Sequence, residues 1–249
     1  MNADGTDKVR LTSDQEENSH PVWSKDGEWI YYQRNDDIYR MSSDGSNPQI
    51  VVEDGNYFDI TDDGLGLVFK ISEQDRDAVV LYDLEKGITE EIVPARVPEF
   101  EGKELGYPTI SPDGKWLAFA AYYPKTWTTH IVKLDGRNRY QFASGCMPQF
   151  RPDGLMIAWI TSGFHEVHLA APDGKNRVPF VDHNTIPGRP QCYFPRWSNN
   201  GDYIVFAASP SFDWSSDYEI FIKSASGGEA VRLTFHSASD IWPDIFIPD

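Results

Sequence analysis

The chain has 249 residues, of which 40% are hydrophobic and 14% aromatic, enough apolar side chains to build one globular core. Its 22 basic and 39 acidic residues give a formal net charge of −17, which argues against a nucleic-acid ligand because phosphate binding needs a basic surface. No apolar run approaches the length of about 20 residues that a membrane-spanning helix needs.

The first repeat of the chain lies between residues 20 and 52 and contains four short, β-rich runs separated by turn signals. An Asp-Gly pair between two such runs favours a tight hairpin, because glycine readily adopts the positive φ that primed turns require. The stretch therefore predicts a four-stranded antiparallel meander. Such a small sheet has two faces to bury, so further copies must cover them.

Further copies follow along the chain. Aligning them on the first turn gives PVWSKDGEWIYY, FDITDDGLGLVF, PTISPDGKWLAF, PQFRPDGLMIAW and PRWSNNGDYIVF. A second, independent series of turns recurs between them, each leading into a final strand such as PQIVV or AVRLT. The glycines of the first series, about 37 to 50 residues apart, are Gly27, Gly64, Gly114, Gly154 and Gly201. The glycines of the second series are Gly5, Gly45, Gly87, Gly136, Gly174 and Gly227. Two turn series with the same period predict a β-propeller.

The first-turn pattern, P-x-[WIF]-S-[PK]-D-G-[KE]-W, resembles the WD40-like PD40 repeat of TolB-type propellers. The match is close at residues 111–115 and 151–154, and Asn199-Asn200-Gly201 departs mildly from it. The resemblance covers residues 3–249 and implies an all-β, six-bladed TolB-like β-propeller. It leaves function open, because such repeats occur in translocation proteins, peptidase propeller domains, sugar-active lyases and plain binding proteins.

We expect one domain over residues 1–249, with five complete four-stranded blades and a partial sixth blade. The blades are predicted at about 20–52, 57–93, 107–143, 147–181 and 193–234. Residues 240–249 should join residues 1–12 in the partial blade, because pairing the two termini removes the open edges of the ring. The alternative is that the chain is a fragment, and that its propeller is the docking domain of a larger protein.

Function is expected on one face of the disc, which we call the long-loop face. It carries the loops between second and third strands and the connections between blades, and these vary in length, whereas the other face carries tight turns. Residues that start each first strand should ring the central pore, namely His20, Tyr57, Tyr107, Met147, Tyr193 with Phe194, and Trp242. They either plug the axis or line an aromatic funnel for a peptide or a sugar.

Rim contacts are expected from Tyr122, Tyr123, Trp127, Phe212 and Trp214. The predicted ligand-binding residues are thus His20, Tyr107, Tyr122, Trp127, Tyr193, Trp214 and Trp242.

Histidines offer one alternative site. His20, His183 and His236 all fall in blade connections, and they could hold a metal ion at the pore mouth, as in some propeller lyases that act on acidic sugars. His165 and His168 are not expected to hold one ion, because side chains three apart on a strand point to opposite faces. No cofactor is otherwise expected, since phosphate-loop, dinucleotide, nucleophile-elbow and zinc-protease motifs are missing from the sequence.

The sequence favours a non-enzymatic scaffold that binds a protein or peptide partner on the long-loop face and pore. An acidic surface would suit a basic partner, and a sugar ligand is a further option. The alternative function is a carbohydrate-active lyase or hydrolase with the histidine metal site. We predict a periplasmic or extracellular location if a leader has been removed, and a cytoplasmic one otherwise.

Two cysteines bear on the compartment. Cys146 and Cys192 precede the first strands of adjacent blades, so both should lie on the same face. They could form a disulfide, which would tie two blades together and indicate an oxidising compartment, or remain two buried free thiols.

Overall fold

The computed structural model describes residues 1–73, 76–213, 216–235 and 238–248. In these ranges the chain is all-β apart from one short 3₁₀ helix, Pro98–Phe100. The strands in chain order are β1 (Asn18–Trp23), β2 (Trp29–Arg34), β3 (Asp37–Ser42), β4 (Gln49–Val52), β5 (Asn56–Ile60), β6 (Gly66–Glu73), β7 (Arg76–Asp83), β8 (Ile88–Val93), β9 (Leu105–Ile110), β10 (Trp116–Tyr123), β11 (Thr126–Lys133), β12 (Tyr140–Phe150), β13 (Ile157–Thr161), β14 (Val167–Ala170), β15 (Val178–Val181), β16 (Gln191–Trp197), β17 (Tyr203–Ser209), β18 (Glu219–Ser224) and β19 (Val231–Arg232). Within these ranges no helix has the length and apolarity to cross a membrane.

Within each sheet consecutive strands pair antiparallel, so each repeat is the meander that the turn spacing predicts. Strands β1–β4, β5–β8 and β16–β19 form separate four-stranded sheets, and β9–β15 form one seven-stranded sheet. The seven strands arise because β12 is shared: its first half pairs with β11 and its second half with β13. The expected break between residues 143 and 147 is therefore a continuous strand.

The first turn of each repeat is longer than a two-residue hairpin, and its side chains explain the Ser/Thr-x-Asp-Gly pattern. In the first repeat the Ser24 hydroxyl donates to Asp26 Oδ1 at 2.6 Å and accepts from Trp29 N–H at 2.9 Å. Gly27 follows with φ of +70°, the left-handed conformation that glycine adopts without strain. The same network recurs at Ser111, with Asp113 and Trp116.

The residue expected to start each first strand has a shared backbone conformation that the sequence does not reveal. Five of the six positions coincide with an irregularity in the strand register, where the inner strand bulges. All six are non-glycine residues in the left-handed region, namely His20 (φ 49°), Tyr57 (47°), Tyr107 (54°), Met147 (56°), Phe194 (55°) and Trp242 (57°). In the fifth repeat the special position is Phe194 rather than Tyr193.

The terminal segments differ from the expected strand pair. No strand is assigned to residues 8–12 or 241–246. Both segments nevertheless lie between the first and fifth sheets: Leu11 packs against Ile30, Tyr32 and Met41, while Trp242 and Ile245 pack on the core of the fifth repeat. Side-chain packing, rather than a hydrogen-bonded ladder, holds the two ends of the chain in this gap.

The core consists of apolar layers between neighbouring sheets. Each second strand supplies one large aromatic side chain at an equivalent position, no more than 4% exposed. These side chains are Tyr32, Phe69, Phe119, Trp159 and Phe206. Their repetition shows that one packing solution is used in each repeat, which is the arrangement that close-packed interiors require.

Two of the expected long loops are extended hairpins instead. Strands β10 and β11 pair as far as Tyr123 and Thr126, so only Pro124 and Lys125 form the turn. Likewise β6 and β7 pair as far as Glu73 and Arg76. Both ladders therefore continue beyond the residues where the loops were expected to start, and their side chains keep alternating between the two faces of the hairpin. Tyr122 and Trp127 are thereby fixed opposite each other on neighbouring strands.

Candidate functional site

Stacked aromatic rings fill the axis of the disc. The Trp242 indole lies between the His20 imidazole, at a centroid distance of 3.4 Å, and the Phe194 ring, at 3.5 Å. Tyr57 meets His20 edge-on, with ring centroids 5.3 Å apart. Its ring is tilted against that of Tyr107, with centroids 4.6 Å apart. These residues, with Met147, surround a cavity of about 50 Å³, which is far below the volume of a ligand pocket. Here the geometry favours the plug over the open funnel.

His20 is neutral in this stack. Burial, together with the charge of the nearby Arg196 guanidinium, lowers the pKa of His20 to about 3. Burial likewise raises the pKa of Tyr57 and of Tyr107. The plug is therefore uncharged at neutral pH, as expected where aromatic rings pack closely away from water.

A larger cleft, of about 330 Å³, opens beside the plug on the long-loop face. It is formed by the β10–β11 hairpin, the β13–β14 loop and the β17–β18 loop, whose ends meet over the inner strands β9, β12 and β16. We call it the aromatic cleft, after Tyr107, Tyr122, Trp127, Tyr193 and Phe212, which line it.

The aromatic rings of this cleft present both faces and polar tips to a ligand. Tyr122 lies 5.4 Å from Trp127, which in turn meets Tyr107 edge-on at 6.0 Å. Phe212 contacts the His165 ring edge-on at 4.7 Å and is 53% exposed, and Tyr122 is 39% exposed. Exposed rings held by packed neighbours give a large contact area at a low cost in conformational entropy.

Polar groups complete the cleft. The Tyr193 hydroxyl and His165 Nδ1 are hydrogen-bonded, and burial lowers the pKa of His165 and raises that of Tyr193. Ser162 and Thr126 join their hydroxyls at 3.0 Å across the two loops. The exposed Lys125 at the hairpin turn supplies a positive charge, and none of the described residues that line the cleft is acidic. The cleft is thus suited to hydrogen bonding and ring stacking with a neutral or anionic group.

The structure brings most of the predicted ligand residues into two adjacent groups. Tyr107, Tyr122, Trp127 and Tyr193 line the aromatic cleft, whereas His20 and Trp242 belong to the plug. Trp214 lies outside the described residues. His165, Lys125 and Ser162 were missed as ligand residues, although all three lie in the loops between second and third strands where function is expected.

The three histidines of the alternative metal site have separate surroundings where they are described. His20 is stacked in the plug, while His183 Nδ1 lies 2.7 Å from Glu166 Oε1 and its ring stacks on Phe164. His236 lies outside the described residues. In the described ranges no group of three His, Cys, Asp or Glu side chains is placed to hold a metal ion.

A polar layer, which the sequence reasoning missed, lies beneath the plug on the tight-turn side. It comes from the residue two positions after each ring residue, because side chains two apart on a strand share a face. The layer borders a cavity of about 130 Å³. Its polar members are Asp59, Thr109, Gln149, Arg196 and Asp244, and the apolar Val22 occupies the sixth position. Arg196 Nη1 lies 3.0 Å from Asp59 Oδ1 and 2.9 Å from Gln149 Oε1.

Burial raises the pKa of Asp244 to about 6, although Arg196 and the Trp23 N–H both act to lower it. Arg196 is thus paired directly with Asp59, and its charge also acts on Asp244 nearby.

Comparison with known proteins identifies the fold. No protein-family model and no curated protein sequence matches the chain. Among solved structures, it is similar to a TolB protein from Agrobacterium tumefaciens at 20% identity, with a TM-score of 0.76 over 90% of this chain and 83% of that one. It is also similar to TolB from Acinetobacter baumannii at 20% identity, with a TM-score of 0.67, where the match covers 90% of this chain and 54% of that one.

An oligogalacturonate lyase from Vibrio parahaemolyticus is similar at 18% identity, with a TM-score of 0.62 over 93% of this chain and 69% of that one. Identities this low carry information about architecture alone, because one fold hosts many functions. The two TolB structures agree with the repeat pattern and the meander sheets in assigning the architecture. The chain has a TolB-like β-propeller fold.

Proposed function

We propose that this chain is a non-enzymatic binding scaffold whose aromatic cleft takes a segment of a protein or peptide partner. The observation that carries the proposal is the cluster of Tyr122, Trp127 and Phe212 at one opening, partly exposed yet fixed by ring contacts. Tyrosine, tryptophan and phenylalanine are enriched where proteins recognise other proteins. The cleft volume of about 330 Å³ accommodates one or two side chains of a partner.

The proposed scaffold is a six-bladed ring forming one domain, with the sixth position filled by both termini. Support comes from the six ring residues in the left-handed conformation, including Trp242 outside the regular sheets. It also comes from Leu11 and Ile245, which pack in the gap between the first and fifth sheets. A periplasmic or extracellular location stays a prediction, since Cys146 and Cys192 are both free thiols and supply no disulfide as support.

The partner segment should be neutral or acidic at the cleft itself. Among the described residues of its lining, Lys125 is charged and none carries a carboxylate. A basic partner would instead have to meet the acidic remainder of the surface, since the net charge of the whole chain is −17 and attracts cations over a Debye length of about 8 Å. The alternative of a sugar ligand shares the aromatic rings, because stacking on Tyr122 and Trp127 suits both classes.

A binding selection tests the proposal. A random peptide library is panned on the full chain, and the enriched peptides are measured by calorimetry against the full chain and the Trp127→Ala variant. We expect at least a tenfold loss of affinity in the variant, with native near-ultraviolet circular dichroism. The matched control is Tyr203→Ala, which removes an exposed aromatic ring beside a tight turn on the opposite face.

Other outcomes separate the alternatives. Peptides that bind the wild-type chain and the Trp127→Ala variant with equal affinity would show that the cleft is not part of the interface. Failure to enrich any peptide, together with binding of neutral or acidic oligosaccharides that Trp127→Ala abolishes, would replace the peptide partner with a sugar. Turnover of such an oligosaccharide would contradict the non-enzymatic assignment.

A further inference from the structure

The C-terminal segment, residues 240–248, is bound in the gap between the first and fifth sheets largely through its side chains. No strand is assigned within it, in contrast to the four-stranded sheets on either side. We call this gap the terminal groove; one wall is β1 with its following turn, and the other is β16 with its following turn. The segment reads D-I-W-P-D-I-F-I-P.

The first contact of the segment is an aromatic stack. Trp242 inserts between His20 of β1 and Phe194 of β16, at centroid distances of 3.4 Å and 3.5 Å. The indole therefore contacts both walls of the groove at once. Pro243 follows Trp242, whose φ is +57°, and its ring fixes its own φ, which limits the path of the backbone after the stack.

The second contact is polar. The Trp23 backbone N–H donates to Asp244 Oδ2 at 2.7 Å, which satisfies a donor at the end of β1. The charge of Arg196, on the opposite wall, also favours the ionised form of Asp244, so this carboxylate has a backbone donor on one side and a nearby cation on the other. An acid is thus chemically specified at this position of the segment.

The third contact is a second aromatic ring, which occupies space that a glycine leaves open. Phe246 lies 5.7 Å from the Trp23 ring. A Cβ atom built on Gly27 would lie 2.5 Å from Cε1 and Cζ of Phe246, so only glycine at the turn admits this ring. Turn glycines Gly64 and Gly114, at equivalent positions in other repeats, have open space there instead.

The last contact fixes the backbone of the segment. The Asn199 amide donates from Nδ2 to the Ile247 carbonyl at 3.0 Å and accepts the Ile247 N–H at Oδ1 at 2.7 Å. A paired amide contact of this kind recognises an extended backbone without regard to the side chain. It lies in the turn of the fifth repeat where asparagine replaces the proline of the third and fourth repeats.

We propose that the terminal groove is a peptide-binding site for an extended segment of the pattern aromatic-Pro-Asp-any-aromatic, and that a second copy of this chain can supply that segment in place of the chain's own. The chain's residues 240–248 are then a ligand bound in cis. Each contact above involves a side chain of the segment or of the groove. The same contacts therefore form whether the segment belongs to the same chain or to another. The covalent link gives the cis segment an effective concentration in the millimolar range, so it normally wins.

The test weakens the cis segment and leaves the groove intact. The full chain carrying Trp242→Ala and Phe246→Ala is titrated into a fluorescein-labelled synthetic peptide of residues 240–248, and binding is followed by anisotropy. We expect saturable one-to-one binding, and at least tenfold weaker binding by the wild-type chain, whose own segment competes. A peptide with the same two substitutions is the control, and it should bind the variant chain at least tenfold less tightly than the wild-type peptide.

Contrary results are equally clear. The groove would not be a recognition site if the variant chain folds but does not bind the wild-type peptide, or if it binds both peptides with equal affinity. If the double variant does not fold, Phe246→Ala alone is used with the same readout. Failure of that variant to fold as well would overturn the proposal, because the segment would then be an integral part of the fold rather than an exchangeable ligand.

A second measurement tests the second copy as the occupant and needs no substitution. Separate samples of the wild-type chain, labelled with donor and acceptor fluorophores, are mixed across a range of concentrations. Energy transfer that rises with concentration and is suppressed by excess wild-type peptide supports exchange between copies. A chain that stays monomeric at every concentration, while its variant binds the peptide, would overturn the second copy as the source of the segment.

Discussion

The Arg196 guanidinium and the Asp59 carboxylate meet across the axis of the disc, with Nη1 3.0 Å from Oδ1, although 137 positions separate them in the chain. Their side chains are only 16% and 13% exposed, and Thr109 donates a further hydrogen bond to Asp59 at 2.6 Å. This pair joins the second and fifth repeats directly. It thereby links sheets that share no strand.

Removing one partner of this ion pair should destabilise the folded protein. Replacing Arg196 with methionine leaves Asp59 and Asp244 facing each other without a cation, so the free energy of unfolding should fall by about 3 to 5 kcal/mol. The Arg196→Met, Asp59→Leu double variant should recover part of that loss, because no buried charge is then left unpaired in the pair. Urea denaturation of the four chains of this cycle measures the coupling. Strictly additive costs would contradict a direct interaction.

Stability should depend on pH through Asp244. Burial raises the pKa of this carboxyl to about 6 from its usual 3.8, so the native state retains a proton that the unfolded state releases. The contribution is therefore fully present below about pH 4 and is lost as the pH rises through 6, on the order of 3 kcal/mol. Asp244→Asn lacks this loss, so its stability relative to the wild type should increase between pH 4 and pH 7.5. A difference that stays constant with pH would argue against the shifted pKa.

Gly145 should tolerate no side chain, whereas Gly163 should tolerate one at modest cost. Gly145 lies within β12 at φ of +128°, and a Cβ atom there would overlap the Ile160 carbonyl oxygen. Gly163 also has positive φ, at +89°, but open space surrounds it. Gly163→Ala should cost about 1 kcal/mol, from backbone strain alone, and Gly145→Ala more than about 3 kcal/mol. Thermal unfolding of both variants checks this, and equal shifts would show that β12 relaxes around the new atom.

Both cysteines should be unreactive in the native protein. Burial raises the pKa of the Cys146 thiol to about 12 and that of Cys192 further, so neither forms thiolate at pH 8. Titration with a thiol reagent should detect almost no reaction in the folded chain and two thiols per chain after unfolding without reductant. Finding no thiols after unfolding would indicate a disulfide in place of the free pair.

The repeat architecture could be predicted from the sequence because its signals are local. The contacts that define each first turn, such as those of Ser24, Asp26 and Trp29, lie within five residues, so the pattern is visible in any one repeat. The equivalent aromatic positions of the second strands follow from the same alignment. Ring residues such as Tyr107 and Trp242 could also be placed near the axis, since each occupies the same position in its copy of the repeat pattern.

The aromatic cleft was only partly predictable. Tyr122 and Trp127 were expected at the rim of the long-loop face, and they line the cleft, but as members of a continuous hairpin rather than a loop. Where a ladder stops depends on pairing along its whole length, which no short pattern encodes. The sequence pattern places His165 on a strand and so excludes it from a shared metal site with His168. In the structure it precedes β14 and its ring hydrogen-bonds to Tyr193.

Only the tertiary structure decided what occupies the axis. The left-handed residue at each inner strand shifts the register by one, so a bulge determines that Phe194 joins the plug and Tyr193 turns to the cleft. The polar layer then depends on ring closure, since Asp59, Arg196 and Asp244 meet only when distant repeats are brought around one axis. The sequence by itself determined the turns, the period and the aromatic core, which local hydrogen bonds and burial specify. Closure of the ring, which joins residues far apart in the chain, determined the plug, the charged layer beneath it and the groove that holds the C-terminal segment.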